Sequence, residues 1–231
     1  MNNNKSKQLV ASIIGIAVLV VAVAGVSFAF FTYSRTGSGN NIITAGKISF
    51  TFADNSYIKI TNHFPIATSA GIALSGTNNT CTFTVTGNTT SGSSINYAVW
   101  AVPGDLSSVV DDINATQFTT KFADSEVFVN IQTTGTLPSG ATFSPAMTSS
   151  QGKAISTLAT SASNAGTRPT NGRLLGTGAI SGSGTDKTIN FIVRMWVDES
   201  VVTICDSGCT YTAANYEHLY YTMKIAVTAQ Q

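Results

Sequence analysis

Ile189-Asn-Phe-Ile-Val-Arg-Met-Trp-Val-Asp198 alternates over its whole length, with Ile189, Phe191, Val193, Met195 and Val197 on one face. Successive side chains of an extended chain point to opposite sides, so a period of two predicts a strand with one face in a core. The pattern recurs on either side of this stretch. Cys81–Thr86 sets Cys81, Phe83 and Val85 against three threonines, and Leu219–Val227 groups Tyr221, Met223, Ile225 and Val227. Lys47–Ala53 alternates through Ile48, Phe50 and Phe52. After an Asp54-Asn55 turn, Tyr57–Thr61 repeats the pattern with Ile58 and Ile60. Glu126–Thr133 places Val127, Val129 and Ile131 inward. Ile95–Val102 is apolar on both faces and ends at Pro103-Gly104-Asp105, which predicts a central strand covered from both sides.

Between Ser144 and Gly184 the pattern thins into Ser, Thr, Gly and Ala. Ser149–Ala162 has room for a helical turn around Ile155 and Leu158, and Asn171–Ile180 reads as a returning strand. Seven to nine strands, little helix and no repeat of fixed period predict an all-β fold. The expected architecture is a jelly-roll-like antiparallel β-sandwich, one domain over residues 42–231.

The start of the chain is different. Lys5 and Lys7 precede Leu9–Phe31, which carries no charge. A positive head, an apolar run and small residues at Ser27 and Ala29 have the layout of a secretory signal cut between Ala29 and Phe30. As a helix the run rises about 30 Å, enough to span a bilayer, so an uncleaved membrane anchor is the rival reading. Residues 1–29 are therefore signal or anchor, and either way the domain lies outside the cytoplasm. Residues 30–41 form a separate N-terminal segment. Phe30–Arg35 (FFTYSR) is aromatic and β-prone, and Thr36–Asn41 (TGSGNN) is a turn-rich hinge. Such a strand can lie against its own domain or complete another.

Removing residues 1–29 moves the net charge from +1 to −1, and charged residues are only 10% of the chain. Nothing in this balance predicts nucleic-acid binding, which asks for a basic patch or stripe. Polarity comes instead from Thr, Ser, Gly and Asn, which suits an extracellular β-protein that packs against its own copies. Three cysteines are present, and export favours their oxidation. Cys205 and Cys209 flank what reads as a hairpin tip and can bridge locally; Cys81 either pairs with one of them or stays a small buried hydrophobe.

The chain resembles the TasA/camelysin family of secreted proteins, whose signals are processed by a SipW-type peptidase. The likeness lies in Val26-Ser-Phe-Ala-Phe-Phe31, in Asn41-Ile-Ile-Thr-Ala-Gly-Lys-Ile-Ser-Phe50, and in the Thr82–Thr86 and Tyr97–Val102 strands with a polar turn at Asn88. Val193-Arg-Met-Trp-Val-Asp-Glu199 is similar to related surface proteins. The resemblance implies a jelly-roll subunit of a cell-surface fibre or biofilm matrix that polymerises by donor-strand complementation. Carried over, the donor is Phe30, Phe31, Thr32, Tyr33, Ser34 and Arg35, with Phe31 and Tyr33 as anchors. Its physical basis is general, because an open sheet edge offers unpaired N–H and C=O groups that an added strand satisfies. The alternative is a monomeric surface protein held by its uncleaved helix.

Camelysin-type relatives are described as metalloproteases, which is the third reading and the weakest. His63 and His218 lie in no zinc-binding motif, and no Gly-x-Ser-x-Gly elbow occurs. Asp111-Asp112, and Asp198-Glu199 with Asp206, lack calcium-loop spacing and read as solvated strand ends. Trp100 and Trp196 sit within strands and read as core or interface. The expectation is a protein that is not an enzyme and holds no cofactor or metal.

Overall fold

The stretch around Ile189–Asp198 becomes the middle strand of a five-stranded antiparallel sheet. The computed structural model describes residues 32–36, 47–52, 57–61, 64–76, 78–89, 93–104, 118, 120–182, 184–205, 207–212 and 218–230. In chain order the elements begin with β1 (Thr32–Thr36), β2 (Lys47–Phe52), β3 (Tyr57–Thr61) and a single-turn helix α1 (Thr68–Gly71). Then come β4 (Thr80–Asn88), β5 (Ser94–Gly104), β6 (Thr120–Lys121), β7 (Val127–Thr134), β8 (Ala141–Pro145) and β9 (Lys153–Ala154). After a 3-10 turn at Ile155–Thr157 follow β10 (Arg173–Ser181), β11 (Lys187–Val197), β12 (Ile204–Cys205), β13 (Tyr211–Thr212) and β14 (Leu219–Gln230). Among the described residues no helix is long and apolar enough to cross a membrane. The expected signal or anchor helix and its Ala29–Phe30 cut lie outside the described residues.

One sheet runs β2-β4-β11-β7-β9; the other runs β1-β14-β5-β10-β8, with β3 and β6 also on β14. The two face each other across one core that takes the inward residues of every alternating strand, Ile48, Ile58, Phe83, Val99, Val129, Phe191 and Met223 among them. An aromatic group ties the layers together at the centre. Phe83 stacks on Phe191 at 4.9 Å between ring centroids, and Phe143 meets Phe191 edge-on at 4.8 Å. Tyr97 joins them, with its hydroxyl donating to the Thr142 carbonyl at 3.0 Å. A buried phenol needs such a partner, and burial also pushes the Tyr97 pKa up.

Each sheet carries a tryptophan on its outer face, and each indole is covered. Trp100 on β5 is buried under the segment around Ala165, in a small cluster with Ala98 and Ala226. Its Nε1 donates to Thr228 Oγ1 at 2.8 Å, and Thr228 Oγ1 donates onward to the Ala165 carbonyl at 2.6 Å. This covering explains why Ile95–Val102 is apolar on both faces. Thr228→Val keeps the shape but leaves the indole N–H and a carbonyl unsatisfied, and should cost about 2 kcal/mol. A lowered urea midpoint with altered tryptophan emission is the expected result; an unchanged midpoint would show that the relay is not stabilising.

Trp196, on the opposite face, lies between Gly71 and Gly152, where an added Cβ on either residue would overlap the indole. The segment carrying Gly152 is held by Asn130 Nδ2, which donates to the Thr148 and Gln151 carbonyls, and by Gln132 Nε2, which donates to that of Ser149. A short strand, β8, appears at Ala141–Pro145, where alternation alone does not reveal one. The Cys205–Cys209 segment differs from the expected hairpin tip. β12 and β13 pair in parallel, which a hairpin cannot do, and Cys205 and Cys209 are disulfide-bonded. Cys81 is not part of a disulfide and is buried in the core.

Candidate functional site

β14 is twelve residues long, and its two edges are occupied differently. On one side β5 pairs with Thr222–Gln230, and the two-residue β6 continues beyond it on Leu219 and Tyr220. The other side is divided. β3 takes Tyr220–Lys224, and β1 takes Ala226–Gln230. The register sets Thr32 opposite Gln230, Tyr33 opposite Ala229, Ser34 opposite Thr228, Arg35 opposite Val227 and Thr36 opposite Ala226. The edge that β1 covers is thus a five-residue slot beside the end of β3.

This slot is firmly backed. Ile225, Val227 and Ala229 lie in the main core, Ala226 packs with Trp100, and Thr228 carries the indole relay. Gly166, at φ +82°, lets the covering segment approach the Ala229 backbone, where a Cβ would be crowded by the carbonyl oxygen. Ladder groups along Ala226–Gln230 are therefore held in place before any strand pairs with them. Four of the six expected donor residues, Thr32, Tyr33, Ser34 and Arg35, fall on β1, while Phe30 and Phe31 lie outside the described residues. Here the pairing is with the chain's own β14. That β14 extends to Gln230 and pairs with this segment was missed from sequence, although the Leu219–Val227 alternation continues to Ala229.

The carboxylates with the most contacts are structural hubs. Asp198 is 1% exposed. Its Oδ2 accepts from Thr68 Oγ1 at 2.7 Å and Trp196 Nε1 at 2.9 Å; its Oδ1 accepts from the Ser200 amide at 3.0 Å and hydroxyl at 2.6 Å. Burial alone raises its pKa, but the Ser200, Thr68 and Trp196 bonds outweigh it, and the carboxyl sits below its ordinary value. Every group on it is a donor, which is the wiring of a strut rather than of a cation ligand.

Asp124 accepts from the buried Tyr221 hydroxyl at 2.7 Å, with Lys121 at 3.8 Å and Arg173 at 3.9 Å. Glu126 accepts from Tyr211 at 2.7 Å and from the Ala123 amide at 2.8 Å. Both phenols are held protonated, by burial first and then by the adjacent carboxylate. Among the described residues no three His, Cys, Asp or Glu side chains are grouped to hold a metal ion. His63, Asp111, Asp112 and Asp206 lie outside them.

No protein-family model, curated protein or solved structure matches this chain. The two facing antiparallel sheets define it as an all-β protein.

Proposed function

We propose that this chain is an exported, non-enzymatic structural subunit that joins copies of itself by strand addition, the β1 segment of one copy lying on β14 of the next. The observation that carries this reading is the β1–β14 ladder: five pairs at the end of a strand whose remaining edge β3 already fills. Ten residues, 37–46, separate β1 from β2. Such a length reaches about 35 Å at full extension, enough for the segment to leave its own domain and meet a neighbour. The uncharged run Leu9–Phe31 supports export, and a chain with only 10% charged residues supports close packing of copies. We read the finer architecture as a jelly roll. The neighbour orders β3-β14-β5-β10 and β4-β11-β7-β9 support this, pairing the first of these eight strands with the last.

The second reading is a monomeric surface protein held by its N-terminal helix, favoured by the closure of β1 on its own β14. One experiment separates the two. Thr32→Cys with Gln230→Cys places thiols at paired register positions. Oxidised under assembly conditions, the processed chain starting at Phe30 should give a ladder of covalent oligomers on a non-reducing gel if strands are exchanged. A monomer band alone would overturn the fibre reading and support the anchored monomer, as would a native N-terminus found still at Met1.

A further inference from the structure

We propose that the outer face of the sheet at β8 and β10 is a binding site for a neutral, hydroxyl-rich ligand, a short stretch of uncharged polysaccharide. A groove of about 330 Å³ lies there. That volume falls at the lower end of the range for small-ligand sites. Two rows of the sheet make its floor. Asn96, Ala179 and Thr142 stand side by side across β5, β10 and β8, and Thr177 and Ser144 stand together in the next row. Ser163 and Asn164, from the segment that covers Trp100, form the wall.

The lining chemistry selects the ligand. Four hydroxyls, of Thr142, Ser144, Ser163 and Thr177, and the carboxamides of Asn96 and Asn164 line it, with no charged side chain. Among the described residues, Asn96, Ser144, Ser163, Asn164 and Thr177 make no side-chain hydrogen bond, whereas Thr142 Oγ1 already accepts from the Ala179 amide at 3.1 Å. These groups donate and accept without carrying charge, which matches the hydroxyls that a sugar ring presents all round. A charged ligand would lose its hydration with no counter-charge to replace it. A peptide strand is the poorer fit, because β10 is already paired on both sides, with β5 and with β8.

The groove is also preformed. Its wall runs directly into Ala165 and Gly166, which are fixed by the Thr228 bond and by close approach to Ala229. Its floor rests on Gly178, where a Cβ would overlap the Tyr97 ring and the Thr142 carbonyl. Little ordering cost then remains to be met on binding.

Saturation-transfer NMR tests this on the full chain, with cellotetraose, maltotetraose and chitotetraose as neutral probes. Tetragalacturonate serves as the charged control and Ser-Asn-Thr-Gly as the peptide control. At least one neutral tetrasaccharide should bind with a Kd of about 0.1–1 mM, the range for a small, uncharged contact set. Ala179→Leu, which fills the floor, should weaken it about tenfold or more, and Thr177→Val, which removes one hydroxyl at constant shape, should weaken it severalfold. No transfer to any neutral sugar at about 10 mM would overturn the proposal. So would equal binding of the charged or peptide control, or binding untouched by both substitutions. If Ala179→Leu fails to fold, Thr177→Val carries the test.

Discussion

Asp198→Ala should lower the unfolding free energy by about 2–4 kcal/mol, read as a shifted urea midpoint at unchanged slope. The carboxylate is buried and receives four hydrogen bonds, two on each oxygen. Ser200 is exposed and can turn to water when the acceptor is gone. Trp196 Nε1 cannot, because the indole is 2% exposed and enclosed by α1 and the Gly152 segment. Most of the loss therefore comes from one stranded indole N–H and from the loosened packing of α1. Trp196→Phe in the same background should cost much less than it does alone, since the donor left unpaired has been removed. The pH dependence follows from the lowered pKa. A carboxyl whose folded pKa is depressed contributes stability above its unfolded value, about 3.9, and that stability is lost as the pH falls through the folded value. The gap between wild type and Asp198→Ala should accordingly be widest near neutrality and narrow in acid below about pH 4. A gap independent of pH would show that the ionised form is not what stabilises the site.

Asp198 also marks where reading the sequence stops. As the last residue of a perfect alternation it reads as a solvated strand end, because nothing local reveals that Thr68, 130 positions away, donates to it. The inward faces were legible in Ile189–Val197, Cys81–Val85 and Ile58–Ile60, since burial against a single core imposes period two directly. Strand ends were less so. β14 runs on to Gln230 because β5 and β1 pair with its last residues, and that is a tertiary fact. β8 was hidden because an edge strand needs few apolar residues; Ala-Thr-Phe-Ser-Pro puts only Ala141 and Phe143 toward the core. The neutral groove brings this strand and residues 163–164 against the outer faces of β5 and β10, a juxtaposition that no local pattern could announce. The outer-face covers over Trp100 and Trp196 are illegible for the same reason: they are made by glycines, a backbone carbonyl and a threonine hydroxyl 128 positions from its indole.

Deleting Phe30–Arg35 should abolish filaments in electron micrographs while leaving the two sheets folded. The deletion removes four of the five β1 residues and so uncovers the edge of β14 from Val227 to Gln230. The inward side chains of that end remain in the core, and its other edge remains paired to β5, so circular dichroism should keep its strand signature. What changes is a row of backbone groups, fixed in place by the Trp100–Thr228–Ala165 relay and now without a strand partner. A synthetic peptide of sequence FFTYSRT, added in excess, should refill the slot and raise the urea midpoint of the truncated chain. It should not restore filaments, because a free peptide ends the chain of additions instead of propagating it. The same peptide added to intact protein during assembly should shorten filaments in proportion to its concentration, as a competitor for a single slot must. Filaments of normal length from the truncated chain would place the joining strand elsewhere. Stabilisation by a scrambled peptide as strong as that by FFTYSRT would show that the edge accepts any strand and that register plays no part in joining.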